Sequence, residues 1–404
     1  MHQGLKERIL IFSKYIPPVY SGAGLQALKH ADILNKNGLK AEILTIRAKN
    51  HKKDANIDEL NNLKISEIYS KNTSSRLDEI ILSFLISKWI FKHRRDYDLF
   101  VFFGVNLNVY LPILLIKILL NKKIVLRSTL VGTDDLKSIQ NEKMGKIKIR
   151  IILMADYYMA ISKYIYDLTE KELIRFNTKM RAILIHNPVD YKYYSPAGSE
   201  ENKIRLREKY NLSQEDFVAI SIGFFSKRKQ IHKIIESFKH LSLSRKNSRL
   251  ILVCKSSSGS FDQDNTDYID YCHHLVRENK LTKSINFYEE GDVREMLRIS
   301  DLFIFASLQE GCPNAVLEAK SVGLPVYIFQ RDWITSDIID NNFDGFILSK
   351  DDPKEMAKLI TRTISDHKSI SNNAISQIIN HYDNGQVLDG YLKILKDDLQ
   401  SINH

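Results

Sequence analysis

Two glutamates eight positions apart bracket the stretch best equipped for chemistry, Glu310-Gly311-Cys312-Pro313-Asn314-Ala315-Val316-Leu317-Glu318. An apolar run, Asp301 to Ala306, precedes it. Pro313 is placed to open a helix, because a first helical position has no use for the N–H that proline lacks. The N–H groups of that first turn, from about Cys312 to Ala315, are orphan donors with a helix dipole behind them, which makes a seat for an anion. Glu310 lies in the loop before the turn and Glu318 one to two turns into the helix. Two carboxylates so placed suit a phosphate with hydroxylated sugar on either side. The competing reading makes Glu310 a helix cap and Glu318 an exposed surface charge.

Two further stretches could act with it. Gly223-Phe224-Phe225-Ser226-Lys227-Arg228-Lys229 sets three consecutive cations beside a strand end and a helix start, where they can neutralise a pyrophosphate. Near the N-terminus, Pro17-Pro18-Val19-Tyr20-Ser21-Gly22-Ala23-Gly24 joins a strand to a helix. Gly22 and Gly24 there would let backbone N–H groups approach a ligand closely. This is not the full dinucleotide fingerprint, since no acidic residue stands clearly about twenty positions on. Taken singly, the cations also read as a solvated loop and the glycines as a tight turn.

The elements that must position these residues alternate in a βαβ manner. Strands are expected at Arg8 to Ser13, Leu39 to Arg47, Asp98 to Phe103, Lys123 to Arg127 and Tyr157 to Ile161, with a helix from about Gly24 to Asn37. Residues 48–75 are polar and poorly periodic and read as a long loop. Turn chemistry then accumulates at Asn187-Pro188-Val189-Asp190 and Ser195-Pro196-Ala197-Gly198-Ser199. Beyond it the alternation restarts, with strands at Phe217 to Gly223, Arg249 to Cys254, Ser284 to Tyr288, Asp301 to Ala306 and Pro325 to Phe329, and a helix from about Lys229 to His240. The fold class is therefore α/β, two Rossmann-like domains facing each other across a cleft, over residues 1–190 and 191–384. A C-terminal helix at about 385–404 is a candidate to pack back on the first domain.

Composition narrows the class. The chain of 404 residues is 44% hydrophobic and 27% charged, with only 16 Gly and 8 Pro, which excludes a disordered or collagen-like chain. The net charge of +10 is uneven: residues 1–195 hold 32 Lys and Arg against 19 Asp and Glu, or +13, and the remainder gives −3. Such a basic half could face nucleic acid, anionic lipid or a phosphorylated ligand. The basic residues do not interleave with aromatics in a nucleic-acid motif, and the acidic second half would repel a phosphate backbone, so no nucleic acid is expected. Cys254, Cys272 and Cys312 have no metal or disulfide spacing and fit a reducing compartment. Apolar runs at Ile80 to Phe91 and Val109 to Leu120 are too short to span a bilayer, and no secretory signal precedes them, which points to a cytosolic chain.

Several segments then recur in a telling order. The Pro17 to Gly24 loop is followed by Ala160-Ile161-Ser162, by His186-Asn187-Pro188-Val189-Asp190, and by Gly223 with Lys229 six residues on. Ser300 to Ser307, the Glu-x7-Glu segment and Gly323-Leu324-Pro325-Val326 complete the series. The chain resembles the family 4 retaining glycosyltransferases (glycosyl transferases group 1), which have the two-domain GT-B architecture, and in particular those of bacterial cell-surface polysaccharides such as lipopolysaccharide and capsule. The resemblance implies that the second domain binds a UDP- or GDP-sugar and the first supplies the acceptor side. It also implies that Lys229 meets the diphosphate, Glu310 the donor sugar and Glu318 the ribose hydroxyls. Backbone donors around Gly311, Cys312, Pro313, Asn314 and Ala315 would hold phosphate oxygens. The loop of Gly22 and Gly24 would close over the diphosphate, and Gly223 would lie beside Lys229. Glu310, Lys229 and Arg228 form the expected catalytic set.

No metal and no cofactor are implied, since cations and helix dipoles do that work, and Asp134-Asp135 and Asp351-Asp352 are adjacent pairs of the turn or capping kind. Two positions depart from the family pattern. Phe224 stands where many members carry Arg, with Arg228 as the candidate substitute. No His follows the fourth strand of the first domain, where Arg127-Ser128-Thr129 stands, leaving Arg127 or Thr129 to line the acceptor side. The expected partner is a hydroxyl of a glycan or lipid-linked oligosaccharide, with the basic first domain resting on an anionic membrane at the inner face. A nucleotide-sugar epimerase or hydrolase, or a non-catalytic homologue, is the alternative.

Overall fold

The computed structural model describes residues 7–17, 19, 21–48, 63–70, 75–255 and 264–401. The chain divides into two compact units, Met1–Pro188 with Asn384–His404, and Val189–Asp383.

The first unit is built on seven parallel strands: β1 (Arg8–Ser13), β2 (Lys40–Ala48), β3 (Ile65–Ser70), β4 (Leu99–Phe103), β5 (Lys123–Arg127), β6 (Tyr157–Ala160) and β7 (Arg181–Leu184), in the order β3-β2-β1-β4-β5-β6-β7. Every residue of β4 is buried, as is all of β1 after Arg8. Strands covered on both faces read as unbroken apolar runs, and this is why they stand out in the sequence.

By contrast β3, Ile-Ser-Glu-Ile-Tyr-Ser, lies inside the stretch expected to be a loop. It is an edge strand held by its ladder to β2 and by the cross-strand ion pair Arg47–Glu67 at 2.6 Å, so it needs little apolar surface. Most of the rest of that expected loop, 49–62 and 71–74, lies outside the described residues.

The C-terminal helix Asn384–Ser401 belongs to this unit. Val387, Tyr391, Ile394 and Leu395 join its core, the Tyr391 hydroxyl meets His30 Nδ1 at 3.2 Å, and Lys123 Nζ donates to the Ile394 carbonyl at 2.8 Å.

The helix after β1 is Gly22–Lys36 and starts two residues earlier than the sequence suggested. Ser21 caps it by accepting from the Gly24 N–H at 3.2 Å. Gly24 has a packing reason to be glycine, because a Cβ there would lie 2.1 Å from the Tyr15 carbonyl oxygen. Gly22 has no neighbour within that range. Gly24→Ala must push backbone apart and is expected to cost about 1–3 kcal/mol, comparable to overpacking a core. Gly22→Ala, with nothing within 4 Å of the added Cβ, should be nearly neutral, and urea unfolding of the two variants checks the contrast.

In the second unit, six parallel strands form one sheet: β8 (Phe217–Phe224), β9 (Ser248–Lys255), β10 (Ile285–Tyr288), β11 (Leu302–Phe305), β12 (Val326–Phe329) and β13 (Phe346–Leu348). Their order is β10-β9-β8-β11-β12-β13. The three-residue edge strand β13 is too short to leave a sequence signal. The winding direction reverses between neighbours β8 and β11, which opens a crevice beyond their carboxyl ends where ligands of such sheets bind.

Candidate functional site

Both sequence-marked stretches of the second unit emerge at that switch point. Gly223 and Phe224 end β8, and the cations follow in a one-turn 3-10 helix, Lys227–Lys229. The helix expected from Lys229 starts instead at Ile231, because Gln230 adopts a left-handed conformation (φ 50°) between turn and helix. Lys229 is therefore on a tight turn, with its ammonium directed by the loop. Across the reversal, β11 runs into Ser307, Leu308, Gln309 and Glu310, and the helix Asn314–Ser321 follows.

Glu310 is the hub. It is 8% exposed, and its Oε1 accepts from Lys229 Nζ at 2.6 Å, from Arg228 Nη1 at 2.9 Å and from the Ser307 hydroxyl at 2.5 Å. Arg228 also donates to the Gln309 carbonyl, and its own carbonyl accepts from the Leu308 N–H at 2.9 Å. Trp333 Nε1 donates to the Leu308 carbonyl at 3.1 Å. The two loops are thus laced together through backbone and side chain. Lys229 lies 5.1 Å from the Phe305 ring centroid, and a Cβ on Gly223 would touch its stem at 3.6 Å.

Burial pushes the Glu310 carboxyl up, but Lys229 and Arg228, with the bonds from Lys229 and Ser307, outweigh it and hold its pKa below the usual range. Burial holds the Lys229 ammonium below its ordinary value, against the pull of Glu310. The site thus holds an ionised carboxylate and two cations in a half-dry crevice, a ready exchange partner for phosphate oxygens.

The helix following Glu310 departs in one detail from the expected start. Pro313 is its N-cap, with φ −79° and ψ 94°, and Asn314 is the first helical residue, because the ψ angle of Pro313 is extended rather than helical. The first helical bonds run from Val316 and Leu317 to the Pro313 carbonyl, so the N–H groups of Asn314 and Ala315 precede the ladder. Gly311, Cys312 and Pro313 are buried under this turn, and Glu318 is half-buried on the next one. Glu310 does not cap the helix; it is committed to the cations.

Sequence reasoning missed Ser307, a strand-end hydroxyl three residues before Glu310 that orients the carboxylate. It also missed Lys320, which anchors the same helix. Gly22 and Gly24 belong to the first unit. There, Arg127 does not line a surface: it is 1% exposed, bonded to Asn187, with its guanidinium 4.4 Å from the Phe103 ring centroid. Thr129 spends both its N–H and its hydroxyl on Asp134, at 2.8 and 2.7 Å. Asp135 and Asp352 are helix N-caps.

Residues 202–381, nearly all of the second unit, match the family described as Glycosyl transferases group 1. The capsular polysaccharide biosynthesis glycosyltransferase CapM of Staphylococcus aureus is 27% identical over 183 residues, 44% of this chain and 46% of that protein. The UDP-Gal:alpha-D-GlcNAc-diphosphoundecaprenol alpha-1,3-galactosyltransferase of Escherichia coli is 26% identical over 207 residues, 50% of this chain and 51% of that protein. These matches thus span about half the length of either relative. Among solved structures, Anabaena Alr3699/HepE in complex with UDP and glucose superposes with a TM-score of 0.76 at 16% identity, covering 97% of this chain and 100% of that one. The chain is a two-domain α/β protein of the GT-B fold, and its second unit carries the match to the glycosyl transferases group 1 family.

Proposed function

We propose that this protein is a retaining glycosyltransferase of family 4 that moves a sugar from a UDP-sugar to a hydroxyl of a lipid-linked glycan in cell-surface polysaccharide biosynthesis. The observation that carries the reading is the Glu310 hub, two cations and one ionised carboxylate at the switch point, beside a helix start with its first N–H groups outside the ladder. In this reading the diphosphate takes Lys229, Arg228 and the N–H groups of Asn314 and Ala315, and Glu310 is released to the donor sugar. Glu318 takes the ribose hydroxyls. Arg228 fills the role left open by Phe224, since it already reaches the same carboxylate as Lys229. The departing diphosphate accepts the proton of the incoming hydroxyl on the face it leaves, which retains the anomeric configuration. Fixed cations stabilise the leaving charge without a divalent metal. The lipid-linked acceptor is supported by the activity of the similar E. coli protein, and the role in surface polysaccharide by that of the similar S. aureus protein. The basic charge of the first half of the chain supports a place at the inner face of an anionic membrane.

Thermal stability with UDP, GDP, ADP or buffer, each in EDTA, tests the donor site. A nucleotide at 100 times its dissociation constant adds about 2.7 kcal/mol, a rise of several degrees at about 2–4 °C per kcal/mol. A rise with UDP alone is expected. No rise with any nucleotide would remove the basis for a donor site here.

A further inference from the structure

The helix Arg76–Lys92 of the first unit is apolar on two faces and covered on only one. Leu82, Ile86 and Ile90 are buried in the unit, whereas Leu77, Ile80, Ile81, Phe84 and Phe91 are 66, 45, 46, 62 and 48% exposed. At 100° per residue these five fall on one outward stripe. A scattering of single exposed apolar residues is ordinary; five on one helix face mark an interaction surface. Ile118 and Leu119, 64 and 68% exposed at the end of the neighbouring helix, repeat the feature.

Charge selects the occupant. Lys88 stands within the stripe, Lys92 and Arg95 are exposed just past Phe91, and Arg76 is exposed at the opposite end. The two acids of the helix are engaged elsewhere: Asp78 closes the capping box with Ser75, and Glu79 pairs with Lys14. An apolar stripe with cations inside it and at its ends matches a bilayer surface bearing anionic headgroups, with rings and branched chains at the acyl boundary and ammonium groups at the phosphates. The helix has 17 residues, and among the described residues no helix is long and apolar enough to cross a membrane, so this is contact in the interface plane. Its Glu79–Lys14 tether fixes the start of the stripe beside the loop leaving β1, at the carboxyl edge of the sheet.

We infer that the outer face of Arg76–Lys92 is the surface by which this protein docks on anionic phospholipid. The inference deepens, and for its purpose rests on, the lipid-linked acceptor proposed above. Sedimentation of the full chain with vesicles of phosphatidylcholine alone or mixed with phosphatidylglycerol tests it. Binding to the mixed vesicles, weakened by salt, is expected. Lys88→Glu and Phe84→Ser should each reduce it about fivefold or more, while Leu243→Ser, on an exposed residue of the second unit, leaves it unchanged. Absence of binding, or binding indifferent to the first two substitutions, overturns the inference. So does a dimer in solution that Phe84→Ser dissolves without any vesicle binding, which assigns the face to a second copy. The UDP-dependent thermal shift, measured on every variant, reports folding and separates the two readings. If it persists while vesicle binding fails, only the docking surface falls; if vesicles bind but no nucleotide shifts stability, only the transferase reading falls.

Discussion

Lys229→Ala is expected to abolish the UDP-dependent thermal shift and to lower sugar transfer by about 10²–10³-fold, the scale for removing one fixed donor from a developing anion. Its side chain is held by a tight turn rather than by a mobile surface chain, with its stem beside Gly223 and its ammonium 5.1 Å from the Phe305 ring centroid. Preorganisation of this kind means that little reorganisation is needed when phosphate replaces carboxylate. The informative contrast is Glu310→Gln. Glutamine keeps the shape but removes the countercharge from Lys229 and Arg228, so nucleotide binding should be retained or tightened while transfer falls by a similar factor. A cluster that is merely structural predicts another pattern: both variants would lose stability, and neither would separate binding from transfer. Measuring the UDP thermal shift and initial rates on the two variants decides between these outcomes.

That cluster was legible in the sequence only in parts. Glu310, Lys229 and Arg228 were marked because unlike residue types stood beside strand ends, where a parallel sheet presents its loops. Their meeting on one oxygen follows from β8 and β11 being neighbours, a pairing that joins residues about 80 positions apart and that local patterning does not encode. The strands that were readable, such as β4 and β11, are apolar throughout because helices cover both faces. The unread ones, β3, β7 and β13, are all edges: β3 and β7 are mostly half-buried or exposed, and β13, though its Phe346 and Leu348 are buried, has only three residues. Arg127 was misread for the opposite reason. A cation at the end of an inner strand resembles a ligand contact, yet here the Phe103 ring and Asn187 absorb it into the interior. Lys320 left no signal, since an isolated lysine within a helix ordinarily faces solvent.

Lys320→Ala should be among the most destabilising single changes in the second unit, about 3–5 kcal/mol, or on the order of 10 °C in its unfolding transition. Lys320 and Asp344 both have side chains with no solvent exposure, paired at 2.9 Å. The ammonium also donates to the Ile338 carbonyl at 2.7 Å and to Gln377, while Asp344 accepts from the Asp340 N–H at 2.9 Å. Burial pushes the lysine pKa down and the aspartate pKa up, so each depends on the other to stay charged. Truncating one partner leaves a buried charge unpaired, which costs more than the pair itself contributes. The double variant Lys320→Met, Asp344→Asn removes both charges and keeps an acceptor for Asp340, and calorimetry should show it recovering more than half of the loss. A single variant no worse than an exposed lysine substitution, within about 0.5 kcal/mol, would mean that the ion pair is not closed in solution. The consequence reaches the site, because Lys320 ties down the far end of the helix whose first turn is proposed to hold the diphosphate. Weaker UDP binding in the single variant, restored in the double, is therefore the expected companion result.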